Sequence, residues 1–286
     1  MKNKMTKNSK KAAIGKVLKV IFLLWLISPS LNGLCAEPLE ISLGAGVYYS
    51  SVYYGSDETY FSSAPMLKVA YNKGPYSAYA SILEGMGMKY RLPGKNLIFG
   101  MRINGGEERD SKTYKDIWST KNHSDEVRNL LQGSPNVKSN VITELSIGYL
   151  SESGTLACSV EYHPIKQTGE QSRSYNGFLS VLSYSRPFRL TDKMALSASA
   201  SVRLMDENYA DAWYSVKYET DRLKSFNAGA GVKDIQLSLQ LDYAISKKIS
   251  AVIIMENSRI LMDAVDSPYT TSKHQMTSAV FVVYSF

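Results

Sequence analysis

Beyond residue 27 the chain contains no apolar run near the roughly 18 residues that would read as a membrane-crossing helix. A helical membrane domain is thereby excluded. Cysteine is nearly absent: Cys35 and Cys158 are the only two in 286 residues, which leaves no disulfide framework and no multi-cysteine metal site. Histidine is almost as scarce. His123 precedes Ser124 in a charged stretch, His163 precedes Pro164 and His274 precedes Gln275. They form no HExxH and no nucleophile-base pattern, so each reads as a solvated surface histidine. Phosphate loops and clustered Asp ladders are missing too. No catalytic, cofactor-binding or metal-binding residue is assigned, and the chain is expected not to be an enzyme.

Acidic residues are absent from Met1 to Lys19, which carries seven lysines. The apolar run Val20 to Ile27 and the small, polar stretch Ser28 to Ala36 follow. This is the build of a secretory signal peptide, and its apolar stretch is far too short to cross a bilayer as a helix. Residues 1–36 are expected to be cleaved, leaving a single domain over residues 37–286. Cys35 lacks a lipobox, which wants a small residue just before the cysteine and Leu three earlier; here those positions hold Leu34 and Asn32. Cleavage removes seven of the 33 basic residues and none of the 26 acidic ones, so the formal charge falls from +7 to zero. Nucleic-acid binding needs basic charge clustered on the folded domain, and none survives.

What the chain does have is alternation. Val280, Val282, Tyr284 and Phe286 share one side of the last segment, Ser278 to Phe286. A period-2 apolar face ending in an aromatic residue suits a strand whose outer face meets lipid. Clean repeats recur at Leu39 to Val47, Val141 to Tyr149, Leu156 to Tyr162, Met194 to Leu204 and Ile235 to Tyr243. Less regular candidates are Met66 to Tyr71, Tyr76 to Leu83, Met86 to Leu92, Leu97 to Asn104, Phe178 to Tyr184 and Ile249 to Glu256. The total is about twelve.

Every second connection is short: Asn72 to Pro75, Pro93 to Asn96, Ser151 to Gly154, Pro187 to Lys193 and Ser246 to Lys248. Between them lie long polar connections at Ser51 to Ala64, Gly105 to Asn140, Pro164 to Asn176, Asp206 to Ala230 and Asn257 to Gln275. Glu84-Gly85 is the short exception. A soluble β-sandwich has no reason to alternate loop lengths in this way. The expected fold is an all-β transmembrane antiparallel β-barrel of about 12 strands in the outer membrane, with short periplasmic turns and long extracellular loops. Its exterior would contact lipid and lipopolysaccharide.

Ser124 to Gly133 predicts a short helix with Ser124 as N-cap, Asp125 and Glu126 in its first turn and Gly133 as its stop. Glu107, Glu108 and Asp110, interspersed with Arg109 and Lys112, read as a solvated loop. Glu40, Lys68, Arg102, Glu144, Glu161, Arg203, Asp242 and Glu256 are placed facing inward. Either they pair across the lumen and close it, or water fills it and they set ion selectivity.

Three stretches resemble the MipA/OmpV family: Leu43-Gly44-Ala45-Gly46-Val47 followed by Tyr54-Gly55-Ser56-Asp57; Ala228-Gly229-Ala230-Gly231-Val232-Lys233-Asp234 leading into Leu237 to Tyr243; and Asp266-Ser267-Pro268. The glycine-rich segment running into Leu-Asp-Tyr is the most specific. The chain departs from the family pattern at Gly133-Ser134-Pro135-Asn136-Val137, where a Gly-Asp-Ile-Asp type segment is common. The resemblance implies an outer-membrane scaffolding protein for murein synthesis, with a lytic transglycosylase and a bifunctional penicillin-binding protein as partners. Read from the residues alone, the glycines permit bulges and close backbone approach, and Tyr54 to Asp57 is a rigid surface turn with an aromatic near the interface. A permeability channel and a surface adhesin are the alternatives.

Overall fold

A computed structural model describes residues 39–115, 120–139, 141–169, 172–217 and 219–286. The leader expected over residues 1–36 lies outside them. Twelve strands close into one antiparallel barrel: β1 (Leu39–Ser51), β2 (Thr59–Lys73), β3 (Tyr76–Ser81), β4 (Gly85–Arg91), β5 (Leu97–Gly105), β10 (Val141–Ser151), β11 (Gly154–Thr168), β12 (Arg173–Arg189), β13 (Met194–Met205), β14 (Gly231–Ala244), β15 (Ile249–Ile260) and β16 (His274–Ser285). Each pairs with its neighbour, and β1 pairs with β16 to complete the ring. Four short strands, β6 (Glu108–Arg109), β7 (Thr113–Lys115), β8 (Thr120–Asn122) and β9 (Asn136–Ser139), lie in the long connection after β5, with helix α1 (Asp125–Leu130). Helices α2 (Glu207–Tyr214) and α3 (Met262–Asp266) occupy the connections after β13 and β15.

All twelve expected segments form the ring, and alternation sorts their faces. Val280 and Val282 of β16 point out, while Ala279, Phe281 and Val283 are buried inside. On β2 the outward Phe61 and Tyr71 stand ten positions apart. At about 3.3 Å per residue and a tilt of about 40° this spans about 25 Å, the height of an outer-membrane apolar band. Phe178 and Phe188 on β12 mark the same interval. Among the described residues no helix is long and apolar enough to cross a membrane.

The seam between β1 and β16 explains two of the glycines. Gly46 pairs with Phe281, and a Cβ there would fall on the Phe281 ring. Gly44 likewise leaves room for Val283. With both positions bare, Phe281 and Val283 pack with Met66, Val252 and Ile254 in an apolar patch on the inner wall.

Two connections expected as loops are largely strand. β2 begins at Thr59, within the stretch assigned to the Ser51 to Ala64 loop, and β11 and β12 run to Thr168 and from Arg173, through the stretch assigned to Pro164 to Asn176. Beyond the lipid band the outward face no longer has to be apolar, so alternation stops reporting the strand while the hydrogen-bonded ladder continues.

Candidate functional site

The long connections fold over the mouth of the barrel rather than away from it, and α2 is the element they enclose. Its Tyr209, Ala210, Ala212, Trp213 and Tyr214 are all buried. Asp206 caps its start, accepting from the Tyr209 amide at 2.8 Å and from the Phe178 amide of β12 at 3.0 Å. Gly177 lets the helix lie against the wall, since a Cβ there would come within 3.0 Å of Tyr209.

The far end of α2 is held by three side chains from three segments. The Gln167 amide donates to the Ala212 carbonyl at 2.7 Å, Arg109 Nη1 to the Trp213 carbonyl and Ser267 Oγ to the Tyr214 carbonyl at 2.7 Å. Helix ends leave such carbonyls without intrahelical partners, and a cation there also suits the helix dipole. Below the helix an ionic network crosses the mouth. Arg203 Nε and Nη2 donate to the two oxygens of Asp234 at 2.7 and 2.8 Å, and Tyr54 OH donates to Asp234 Oδ2 at 2.6 Å. Lys233 Nζ lies 4.3 Å from the Tyr54 ring centroid and donates to Tyr209 OH at 3.1 Å, which donates to Glu107 Oε2 at 3.1 Å.

Lys233 and Asp234 are consecutive, yet neither has any exposure. The register explains this: Arg203 pairs with Asp234 but Leu204 pairs with Val232, so Lys233 is the extra residue of a β-bulge. The bulge aims both charges inward where regular alternation would send one into lipid. Burial pushes the Tyr54 phenol far above its usual range and keeps it a proton donor. Burial would also raise the Glu107 carboxyl, but Lys233, His163 and Arg203 outweigh it and hold it below the carboxylate range.

Between α2, the network and the wall lies a cavity of about 440 Å³ bordered by Tyr53, Tyr60, Glu107, Arg109, Trp213 and Glu256, among others. Arg109 is only 4% exposed, its guanidinium stacks 3.7 Å from the centroid of Tyr269, and its Nε and Nη2 have no hydrogen-bond partner among the described residues. Leaving a buried donor unmade costs about 1–3 kcal/mol, and more for a charged group.

Several expectations are corrected here. The Glu107 to Lys112 segment is not a solvated loop: β6 pairs with β9, which pairs in turn with the end of β11, and this turns Arg109 inward. His123 and His163 are buried, not solvated. His123 packs 5.5 Å from the Tyr114 ring centroid with Nε2 at 3.0 Å from the Asp110 carbonyl, whereas His163 sits edge-on to Tyr209 at 5.1 Å with Nε2 at 3.2 Å from Glu161. His274 alone is exposed. Among the described residues no serine hydroxyl is hydrogen-bonded to a histidine ring, and no three His, Cys, Asp or Glu side chains converge as a metal site. Tyr54 to Asp57 is not a surface turn with an interfacial ring, since Tyr54 points into the mouth and Ser56 is buried.

Of the eight charges expected inside, Arg102 meets Glu144 and stands 3.7 Å from Glu161, Lys68 meets Glu84 at 3.0 Å, Arg203 takes Asp234, and Asp242 accepts from Gln240 at 3.0 Å. These contacts lie within one strand, between strands one or two places apart or with a nearby turn, rather than spanning the lumen. Glu256 borders the cavity and Glu40 is exposed near the start of β1. The helix over 124–133 is confirmed as α1, with Ser124 accepting from the Val127 amide and Gly133 at φ +81°. The residues missed were Tyr54, Arg109, Tyr209, Trp213 and Lys233. Lys233 and Asp234, side by side at the start of a lipid-facing strand, were a legible sign of the bulge.

A family model described as MltA-interacting protein MipA matches residues 43–286. No curated protein matches the chain in sequence. Solved structures similar to it include the translocator domain of the autotransporter NalP from Neisseria meningitidis, 13% identical, covering 97% of this chain and 98% of that one with a TM-score of 0.41. An outer-membrane channel from Pseudomonas putida F1 is 11% identical over 88% and 97%, TM-score 0.45, and the toluene transporter TbuX from Ralstonia pickettii 11% identical over 88% and 90%, TM-score 0.35.

Proposed function

Because this outer-membrane β-barrel belongs to the MltA-interacting protein MipA family, we propose that it is a non-enzymatic scaffold that brings a lytic transglycosylase together with a bifunctional penicillin-binding protein for murein synthesis. The match along residues 43–286 carries this reading. The architecture supports it: a mouth covered by α2 and held at both helix ends suits a barrel that docks partners better than one that conducts. In this reading residues 1–36 are a cleaved export signal, the short turns face the periplasm, and the long connections face outward among lipopolysaccharide. The partners meet the short-turn rim.

That rim offers turns of only a few residues, little against the roughly 1,000 Å² of a stable interface. Binding is therefore weak for each contact and strengthened by confinement of lipid-anchored partners to the same membrane. In-cell crosslinking from Lys73 or Lys247, both exposed at that rim, followed by mass spectrometry of the captured proteins, tests the scaffold. Recovery of a transglycosylase and a peptidoglycan synthase supports it. Recovery of barrel-assembly factors alone overturns it in favour of a channel or adhesin, and single-channel conductance in a planar bilayer separates those two.

A further inference from the structure

The short-turn end of the barrel carries charge that the exported domain as a whole lacks. Residues 186–193 and 242–248 form two adjacent turns, between β12 and β13 and between β14 and β15, with the strand ends beside them. They hold Arg186, Arg189, Lys193, Lys247 and Lys248, all exposed, against Asp192 and Asp242, which leaves this arc at +3. Both acids are engaged: Arg189 meets Asp192 at 2.9 Å, and Gln240 donates to Asp242 at 3.0 Å. Among the described residues Arg186, Lys193 and Lys247 have no ion-pair partner.

Backbone bonds tie the arc together. The Ala244 amide donates to the Lys193 carbonyl at 2.8 Å, joining the two turns, and the Ser285 amide donates to the Lys248 carbonyl at 2.8 Å, joining the second turn to β16. Two of the cations stand at the lipid-facing girdle. Arg186 follows Leu182 and Tyr184 on the outward row of β12 and lies 5.1 Å from the Phe188 ring centroid. Lys248 Nζ lies 5.7 Å from the ring centroid of Tyr284, which follows Val280 and Val282 on the outward row of β16. Leu190 and Ile245, each about half exposed, add apolar surface on the turns themselves. A soluble acidic partner could meet the cations at the tips, but cations beside outward rings match a ligand whose phosphate adjoins its acyl chains.

We propose that this arc is a binding surface for anionic glycerophospholipids, with phosphates at Arg186, Lys193, Lys247 and Lys248 and acyl chains against Phe188, Leu190 and Ile245. From β12 to β16 are four strand spacings, about 19 Å, so the arc meets the phosphates of more than one lipid. The proposal rests on the orientation given above, which puts these lipids in the inner leaflet, but not on the scaffold role.

The test uses the full barrel refolded into vesicles of equal phosphatidylglycerol and phosphatidylethanolamine, followed by mild extraction and native mass spectrometry of the lipids that stay bound. Phosphatidylglycerol should be enriched at least about threefold over the bulk ratio. R186Q, K193Q, K247Q and K248Q combined should return the bound lipid to that ratio, whereas K224Q, exposed at the mouth, should leave the enrichment unchanged. R186Q alone should about halve the enrichment, as should about 1 M salt on the parent, where the screening length falls to about 3 Å; these two carry the test if the combined variant does not fold. Bound lipid at the bulk ratio in the parent, enrichment that survives both neutralisation and salt, or an equal loss in K224Q overturns the proposal. Binding of soluble murein fragments in place of phosphatidylglycerol also overturns it, in favour of a surface that faces the cell wall. No murein enzyme enters the measurement, so its failure and that of the scaffold reading are distinguishable.

Discussion

Phe281 of β16 lies directly across from Gly46 of β1, at the seam where the barrel closes, and its ring occupies the space a side chain at position 46 would need. The first and last strands of the ring therefore meet through a ring on a bare backbone. G46V should destabilise the closed barrel by about 1–3 kcal/mol through overpacking. Combining it with F281A should recover part of that loss, because the ring is one of the two groups the new side chain meets and the Val280 carbonyl is the other. Thermal unfolding of single and double variants, followed by gel mobility of unboiled samples, checks both expectations.

Arg203 and Asp234 form a pair whose acidic partner is fully buried. D234N leaves the guanidinium uncompensated and should cost about 3–5 kcal/mol. Replacing both with apolar residues of similar size should cost far less than the sum of the single changes. A double-mutant cycle on denaturation midpoints measures the coupling.

D206A removes the cap of α2 and the side-chain acceptor of the Phe178 amide. The expected loss is about 1 kcal/mol, confined to the mouth. Hydrogen exchange should quicken over residues 207–214 while strands such as β14 keep their protection.

Burial alone would raise the Asp110 carboxyl, but the Lys112 and Thr113 amides and the Thr113 hydroxyl outweigh it and hold it below the usual value. Glu107 is also held low. A group with a depressed folded pKa stabilises above its unfolded value and loses that contribution as pH falls through the folded one. Exchange protection over residues 107–115 and 120–139, measured against the intrinsic rate at each pH, should therefore be high at neutral pH and fall below about pH 4. D110N should flatten that dependence.

The twelve strands were legible because lipid on one side and a polar interior on the other force a period of two on each, as Leu237, Leu239 and Leu241 show against Ser238 and Gln240. The covered mouth was not legible. Arg109, Gln167, Ser267 and α2 come from four distant segments, and no local pattern announces that charged connections will turn inward. Lys233 escaped for a different reason, since its bulge breaks the rule that made the strands readable. Tyr54 escaped because turn residues around Gly55 at φ +105° describe the bend of the chain and not the direction in which a ring points.

Gln167, Arg109 and Ser267 each grip one of three successive carbonyls at the end of α2. The helix thus serves as the keystone of an arch, and the segments around it are its voussoirs. A change of length or register in any one of them would take away one of the three grips on the same helix end.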